Sequence, residues 1–325
     1  MVETLEHSDG VVVVTDADGS RIVEARPDAP NVFVARATCR TRYPTSLIHS
    51  ILDLKGIAWV CDEIARDEDP DYVQKHLLTD LDAFIPRTEF DGARVLDFGC
   101  GCGASTAILA RTFPNARFVG VELVDEFLAI ARARAEHHGL TNVEFLSSPD
   151  PVSLPGGVGD FDIVIMSAVV EHLLPYERRA LLPMLWNHVR PGGVLFLDET
   201  PYRWFPIELH TTRLPMINYL PSGTAGRIAR RFSPAVERRA SWNDLLRAGI
   251  RGSTINEIRQ LLDGAVPVPQ TSGGGQVDLW FKKTNRGNLA ALKAAAHKLL
   301  GAVELVTGIA MVPDIAIAFR KPVSG

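Results

Sequence analysis

Cysteine is scarce in this 325-residue chain. The four cysteines are Cys39, Cys61, Cys100 and Cys102, and no two of them form a C-x-x-C pair. Small secreted domains depend on dense, paired cysteines, whereas the thiols of intracellular proteins stay reduced. The sequence therefore argues against a disulfide framework and predicts reduced thiols in a cytoplasmic protein.

Long apolar runs are also lacking. A helix needs about 18 consecutive apolar residues to cross a bilayer. The apolar segment 161–170 is too short, and segment 289–311 is interrupted by charged residues and a histidine. The first residues have neither the basic segment nor the apolar segment of a secretory signal peptide. We therefore expect no membrane span and no signal peptide.

The chain carries little net charge and no basic arm. Its 34 Lys and Arg residues against 39 Asp and Glu residues give a formal net charge of −5 at pH 7. A general electrostatic grip on nucleic acid needs an excess of positive charge, so we expect no nucleic-acid partner. The nine histidines show no ligand spacing such as HxxxH with a carboxylate, so we expect no metal.

What the sequence does contain is a regular alternation of apolar runs and amphipathic segments between residues 91 and 200. With 46% hydrophobic and 22% charged residues, the composition is that of a folded protein. Segment 161–167 is continuously apolar, as expected for a strand that is covered on both faces. The alternation predicts an α/β fold with a doubly wound, parallel sheet. The predicted strands are 94–98, 117–122, 143–146, 161–167 and 194–198.

A glycine-rich loop follows the first of these strands and opens a helix. Gly99, Gly101 and Gly103 remove side chains where the backbone turns sharply and a ligand could lie against it. Gly99, Gly101 and Ala104 also satisfy the dinucleotide pattern GxGxxG/A, in which a pyrophosphate sits at the helix N-terminus. Asp97 immediately precedes the loop, and its carboxylate suits a cationic ammonium better than a pyrophosphate.

Two further motifs accompany the loop. The second strand ends in Glu122, whose carboxylate could accept both hydroxyls of a ribose. The fourth strand runs into Glu171 and His172, and a Pro-Gly-Gly turn at 191–193 precedes the fifth strand. Taken together in this order, residues 91–201 resemble class I S-adenosyl-L-methionine (SAM)-dependent methyltransferases. The resemblance covers roughly a third of the chain.

The resemblance implies a cofactor, SAM, with S-adenosyl-L-homocysteine as product, and a set of positions that bind it. The methionine end would contact Asp97, Gly99 and Gly101, with Cys100 in the same loop. Glu122 would hold the ribose, and Leu123 would lie beside the adenine. The adenine amine would meet Ser148 or Asp150, and the backbone at Met166 and Ser167 would line the sulfonium side.

The resemblance also implies a Rossmann-like methyltransferase sheet that is mostly parallel, with an antiparallel last strand. We expect segments 277–282 and 315–319 to complete it. Three parts follow: an N-terminal cap segment of a hairpin plus helices (1–90), the SAM-binding core (91–201) and a C-terminal acceptor-side segment (202–325). The caps at both ends are expected to be helical or irregular and to enclose a pocket for a medium-sized acceptor.

Methyl transfer to a hydroxyl needs a group that removes a proton. His172 follows the fourth strand, and His210 and Glu208 follow the fifth strand, where segments leave the carboxyl ends of the sheet. These three residues are the catalytic candidates. The alternative is structural: an oriented Glu-His loop at 171–172 and a polar loop around 208–211 that satisfies its own backbone.

The sequence thus predicts a SAM-dependent methyltransferase that acts on a small-molecule, glycan or lipid-like acceptor, with oxygen as the favoured atom. Three alternatives stay open: N-methylation, a non-catalytic SAM-binding protein and an NAD-dependent oxidoreductase. No motif identifies the acceptor or the oligomeric state. For the oligomeric state, a homodimer is one open alternative.

Overall fold

The structure is a computed structural model that describes residues 1–29, 32–284 and 290–323. These residues group into two compact units. The first unit contains residues 1–77 and 100–147, and the second contains residues 78–99 and the chain from 148 onward. The division into segments at residues 90 and 201 stays a prediction. Within the described ranges, no helix is long and apolar enough to cross a membrane.

The first unit begins with a four-stranded antiparallel sheet. Its strands are β1 (Val2–His7), β2 (Gly10–Ala17), β3 (Ser20–Pro27) and β4 (Thr38–Thr41), in the order β1-β2-β3-β4. Every second residue of β2 points into the core, so Val12 and Val14 are buried while Val13 is only half-buried. The predicted hairpin is present, and its tight turn uses Asp18 and Gly19, both with positive φ.

A long helix covers this sheet. Helix α1 (Thr45–Glu68) packs Ile48, Ile51 and Leu52 into the same core cluster as the sheet valines. It changes direction at Gly56, whose φ of 67° lies outside the helical region. A π-helical turn (Pro70–Gln74) then leads into α2 (Lys75–Phe84).

The remaining strands and helices alternate along the chain. The strands are β5 (Arg94–Phe98), β6 (Arg117–Glu122), β7 (Val143–Ser147), β8 (Phe161–Ser167), β9 (Val189–Pro201), β10 (Val266–Pro267) and β11 (Asp314–Arg320). The helices are α3 (Ala104–Thr112), α4 (Asp125–His137), α5 (Pro175–Asn187), α6 (Ser222–Phe232), α7 (Trp242–Arg247), α8 (Ile255–Arg259), α9 (Gln276–Thr284) and α10 (Ala290–Thr307). Three-residue or four-residue 3₁₀ turns lie at Arg87–Phe90, Val170–His172 and Ile217–Tyr219.

The strand pairing has the predicted character. In the second unit the order is β10-β11-β9-β8-β5, and the first unit contains the parallel pair β6-β7. Strands β5, β8 and β9 are parallel, whereas β11 runs antiparallel to β9 and β10 antiparallel to β11. These seven strands and their flanking helices confirm a Rossmann-like α/β fold that is mostly parallel with an antiparallel end.

The predicted apolar run at the centre of the second unit is confirmed. In β8, Phe161, Ile163, Val164 and Ile165 are at most 1% exposed. Strand β9 matches them with Leu195, Phe196 and Leu197, which are fully buried. A strand buried on both faces holds a fixed position, so the residues that follow the carboxyl ends of β8 and β9 start from a rigid base.

One predicted strand is wrong. Residues 277–282 lie in helix α9, not in the sheet. The Glu304 carboxylate caps this helix by accepting the backbone N–H groups of Gln276 at 2.8 Å and Val277 at 3.0 Å. A short apolar run does not distinguish a strand from a buried helix. The other predicted strand, 315–319, is confirmed as part of β11.

Candidate cofactor and acceptor sites

The glycine loop has the backbone conformation that its sequence predicts. Gly99, Gly101 and Gly103 all have positive φ, at 73°, 53° and 78°. In the second unit, a Cβ atom on Gly99 would come within 2.7 Å of Val169 Cγ2. In the first unit, a Cβ atom on Gly103 would come within 2.6 Å of Ala131 Cβ. Glycine is therefore required by space as well as by φ at both positions.

Glu122 is held by the backbone of the first unit. Its carboxylate accepts N–H groups from Gly101 at 3.0 Å, Leu123 at 2.7 Å and Val124 at 3.2 Å. A carboxylate has about four lone-pair sites, so further acceptor capacity remains for a ligand hydroxyl. Leu123, beside it, is 45% exposed and presents apolar surface.

Cys100 points its side chain into the first unit. The residue is 6% exposed and packs in a core cluster with Leu128, Ala131 and Phe145. Its backbone N–H donates to the carbonyl of Val121 at 3.1 Å. A cofactor contact through the thiol has no support from this packing, and the predicted role of Cys100 stays a prediction.

In the second unit, the predicted adenine residues close their own loop. The Ser148 hydroxyl lies 2.8 Å from the carbonyl oxygen of Asp150 and 2.7 Å from that of Ser153. The Asp150 carboxylate accepts the backbone N–H of Val152 at 2.8 Å and the Ser153 hydroxyl at 2.9 Å. The polar atoms of both residues already have local partners, which gives no support to a ligand contact. The predicted adenine contacts of both residues stay predictions.

The end of β8 carries the predicted sulfonium-side residues. Met166 is fully buried and Ser167 is half-buried, and the register pairs them with Leu197 and Asp198 of β9. The backbone then turns at Ala168, which has a φ of 54°. Asp97, at the neighbouring strand end of the same unit, is 1% exposed. Their roles toward a cofactor stay predictions.

Beyond this turn, three side chains form a group that we call the Glu-His-His cluster: Glu171, His172 and His210. One potential ligand atom from each lies within 4.8 Å of the others. His172 Nε2 is 3.8 Å from Glu171 Oε1, and the two imidazole ring centroids are 5.4 Å apart. Glu171 is fully buried, whereas both histidines are exposed. The structure thus brings together two of the three predicted catalytic residues.

The electrostatics of this cluster follow from its burial. Burial raises the pKa of Glu171 to about 8. Burial, and then the neighbouring His172, lowers the pKa of His210 below its ordinary value. Both shifts favour the uncharged forms of these groups, as expected for titrating atoms that are wholly or partly shielded from water.

Glu208, the third predicted catalytic residue, organises the loop that carries His210. Its carboxylate accepts the backbone N–H groups of His210 at 2.8 Å and Thr211 at 2.9 Å, and both the N–H and the hydroxyl of Thr212. A carboxylate with four local donors is well suited to position a loop. Its catalytic role stays a prediction.

Three features that the sequence did not indicate hold the segments that carry the histidines. His172 Nδ1 lies 2.7 Å from the carbonyl oxygen of Arg247, and the Thr211 hydroxyl donates to the carbonyl of Ala248 at 2.7 Å. Gly249 has a φ of 97°, and a Cβ atom there would come within 2.4 Å of His210 Cδ2.

Another Glu-His-His group occurs in the first unit, and its polar atoms are in use. Glu68 accepts the Thr41 hydroxyl at 2.9 Å and the backbone N–H of Arg42 at 2.6 Å. His138 Nε2 lies 2.9 Å from the buried carboxylate of Asp67. The His137 ring packs edge-on against Tyr43, with ring centroids 5.0 Å apart, and burial lowers its pKa. These contacts explain the group as part of the fold.

Comparison with known proteins agrees with this architecture. Residues 95–193 match the family described as a methyltransferase domain. This stretch contains the glycine loop, Glu122 and the Glu171–His172 pair. The class predicted from the sequence, the class I SAM-dependent methyltransferases, is confirmed over this part of the chain.

Individual relatives share parts of this chain. A trans-aconitate 2-methyltransferase of Deinococcus radiodurans is 40% identical over 162 residues, which are 48% of this chain and 58% of that relative. The chain therefore spans little more than half the length of this relative. A carboxy-S-adenosyl-L-methionine synthase of Escherichia coli is 23% identical over 259 residues, 73% of this chain and 92% of that protein.

Among solved structures, PKMT2 from Rickettsia typhi in complex with AdoHcy is similar at 17% sequence identity. The similarity covers 77% of this chain and 53% of that chain, with a TM-score of 0.46. At this TM-score the similarity has no bearing on function.

Proposed function

We propose that this chain transfers a methyl group from SAM to an oxygen atom of a small-molecule, glycan or lipid-like acceptor. The observation that carries the proposal is the Glu122 carboxylate, which is held by the N–H of Gly101 in the glycine loop and retains acceptor capacity. A ribose presents hydroxyl donors, and the remaining acceptor site of a fixed carboxylate at a strand end can accept one of them. The methyltransferase-domain match over residues 95–193 supports the same cofactor.

The Glu-His-His cluster supports an acceptor site in the second unit. His172 and Glu171 follow β8, and His210 follows β9, so all three lie on segments that leave carboxyl ends of strands. Ligands of open α/β sheets bind at such segments. The sulfonium is already an activated methyl donor, so the protein must orient the acceptor and accept its proton. We assign proton removal to this cluster.

A small-molecule acceptor is supported by one relative. The Deinococcus radiodurans relative, 40% identical over the shared part, is named for methylation of trans-aconitate. The balance of charges in this chain, with a net value of −5, argues against a nucleic-acid acceptor. We also propose a cytoplasmic location, because all four cysteines are free and buried.

Calorimetric titration with SAM, S-adenosyl-L-homocysteine and NAD in parallel tests the cofactor. We expect saturable binding of both adenosyl compounds and none of NAD. Methyl-labelled SAM is then incubated with pools of hydroxyl, carboxyl and amine compounds. Label transfer to an oxygen supports the proposal, and transfer to a nitrogen identifies an N-methyltransferase. SAM binding without transfer to any pool favours a SAM-binding protein, and NAD binding alone would overturn the proposal.

A further inference from the structure

The Glu171 carboxylate, like that of Asp198, is an unusual polar group of the second unit. It is fully buried, and neither of its oxygens has a hydrogen-bond partner among the described residues. Most buried polar atoms in proteins are hydrogen-bonded, and an isolated buried carboxylate is costly. A bound cation would supply both the missing partner and the opposite charge.

The neighbouring His172 has a defined tautomer. A carbonyl oxygen can only accept a hydrogen bond, so His172 Nδ1 must donate its proton to the Arg247 carbonyl, 2.7 Å away. In the neutral ring, Nε2 then carries a lone pair. This atom lies 3.8 Å from Glu171 Oε1, which is too long for a hydrogen bond. A histidine whose other nitrogen donates to a carbonyl is arranged as metal-ligating histidines are.

His210 completes the group from the opposite segment. The Glu208 carboxylate holds its backbone, and the absence of a side chain at Gly249 leaves room for its ring. The three ligand atoms lie within 4.8 Å of one another, and the histidines are open to solvent. Metal–ligand distances of about 2.0–2.2 Å require ligand atoms roughly 3–3.5 Å apart, so only small side-chain rotations are needed.

We infer that Glu171, His172 and His210 bind one divalent transition-metal ion, such as Zn²⁺. Two imidazoles and one carboxylate suit Zn²⁺ and its first-row neighbours, whereas Mg²⁺ prefers oxygen ligands. Three protein ligands leave coordination positions free, as in catalytic rather than structural sites. The sequence predicted no metal because these ligands are not at a regular spacing: two are adjacent and the third follows 38 residues later by the numbering.

The use of this ion in catalysis rests on the proposed function. A free coordination position facing solvent could take the acceptor oxygen, and a divalent ion lowers the pKa of an oxygen that it binds. The histidine lone pairs would then hold the ion, and the ion would make the acceptor hydroxyl easier to deprotonate, with its proton passing to water on the exposed side of the site.

Metal titration of the full chain tests the inference. The protein is stripped with a chelator and titrated with Zn²⁺ against a chromogenic indicator, and with Co²⁺ followed by its visible absorption. We expect one ion per chain for the native protein. His210→Ala and Glu171→Gln should weaken binding by roughly 100-fold, because even outer-shell partners contribute about 10–100-fold. His137→Ala removes a histidine from the other Glu-His-His group and should bind like the native chain.

Three results would overturn the site: no ion bound by the native chain, unchanged affinity in His210→Ala, or loss of binding in His137→Ala. Since His210 is exposed, its alanine variant should keep the native thermal transition, and it decides the test if Glu171→Gln does not fold. SAM calorimetry on the same samples separates the two proposals. Metal binding without SAM binding contradicts the proposed function alone, and SAM binding without metal binding contradicts this inference alone.

Discussion

The carboxylate of Glu122 accepts a hydrogen bond of 3.0 Å from the backbone N–H of Gly101, 21 residues earlier in the chain. The contact links the end of β6 to the glycine loop that precedes α3. The same carboxylate accepts the N–H groups of Leu123 and Val124, so it fixes both segments at once. The Glu122 side chain is therefore already ordered, and a ligand hydroxyl that binds it costs little side-chain conformational entropy.

Replacement of Glu122 should weaken SAM binding. In Glu122→Ala the ribose hydroxyls lose their acceptor, and we expect a loss of about 1–3 kcal/mol in binding free energy by calorimetry. Glu144→Ala is the matched control, since Glu144 is an exposed acid on the neighbouring strand β7. Equal affinity in the two variants would remove Glu122 from the cofactor site.

Adding a methyl group at Gly99 should lower the free energy of unfolding more than adding one at another glycine of similar φ. Gly99→Ala and Gly139→Ala both force alanine into positive φ, which costs about 1–2 kcal/mol of stability. Only at Gly99 does the new Cβ meet a side chain, 2.7 Å from Val169 Cγ2, whereas the space at Gly139 is open. Denaturant unfolding should therefore show a larger loss for Gly99→Ala. Equal losses would mean that Val169 moves aside freely.

The sequence was informative where the structure is local. The glycines at 99, 101 and 103 sit between a strand and a helix, and their positive φ values follow from that short connection. The continuous apolar run of β8 likewise predicted its own burial. In both cases neighbouring residues along the chain supply most of the constraint, so the pattern can be interpreted without tertiary information.

The sequence was uninformative where atoms far away in the chain determine the local conformation or the position of a proton. The proton of His172 Nδ1 is directed by the carbonyl of Arg247, 75 residues away, and no residue type encodes a carbonyl. Helix α9 was mistaken for a strand because its N-terminal cap comes from Glu304, which lies in the following helix α10, 28 residues later in the chain. Such contacts become visible only once the segments have packed.

The buried pair of Asp67 and Arg134 should be essential to the stability of the first unit. Both side chains are fully buried, with Arg134 Nε 3.7 Å from Asp67 Oδ1, and Asp67 also accepts a hydrogen bond from Tyr43. Asp67→Asn removes one of the two carboxylates that compensate the buried guanidinium charge, the other being Glu63 at 2.9 Å from Arg134 Nη2. We therefore expect a loss of up to about 3–5 kcal/mol in the free energy of unfolding. Asp62→Asn, on the same helix but half-exposed, should cost much less.

The same carboxylate should make stability depend on acid pH. Burial alone would raise the pKa of Asp67, but the Arg134 charge and the hydrogen bonds from His138 and Tyr43 outweigh it and hold the pKa below its ordinary value. A lowered pKa contributes stability that is present above about pH 4 and is lost as pH falls through the folded-state pKa. Urea unfolding at several acid pH values should show a steeper decline for the native chain than for Asp67→Asn. Parallel declines would show that Asp67 is not the group responsible.

A buried ion pair of Lys283 should be essential to the stability of the second unit. Lys283 Nζ lies 2.8 Å from Asp80 Oδ2 and 2.9 Å from Asp314 Oδ1, and Asp80 is fully buried. Lys283→Met leaves the Asp80 carboxylate unpaired and should cost about 3–5 kcal/mol of stability. The double variant Lys283→Met with Asp80→Leu should recover part of this loss, because both the charge and its partner are gone.

Arg87→Ala is the exposed control: it removes a partner of Asp82 and should cost no more than about 1 kcal/mol in the same unfolding experiment. A double variant that is less stable than Lys283→Met alone would show that Asp80 stabilises the fold through some contact other than this ion pair.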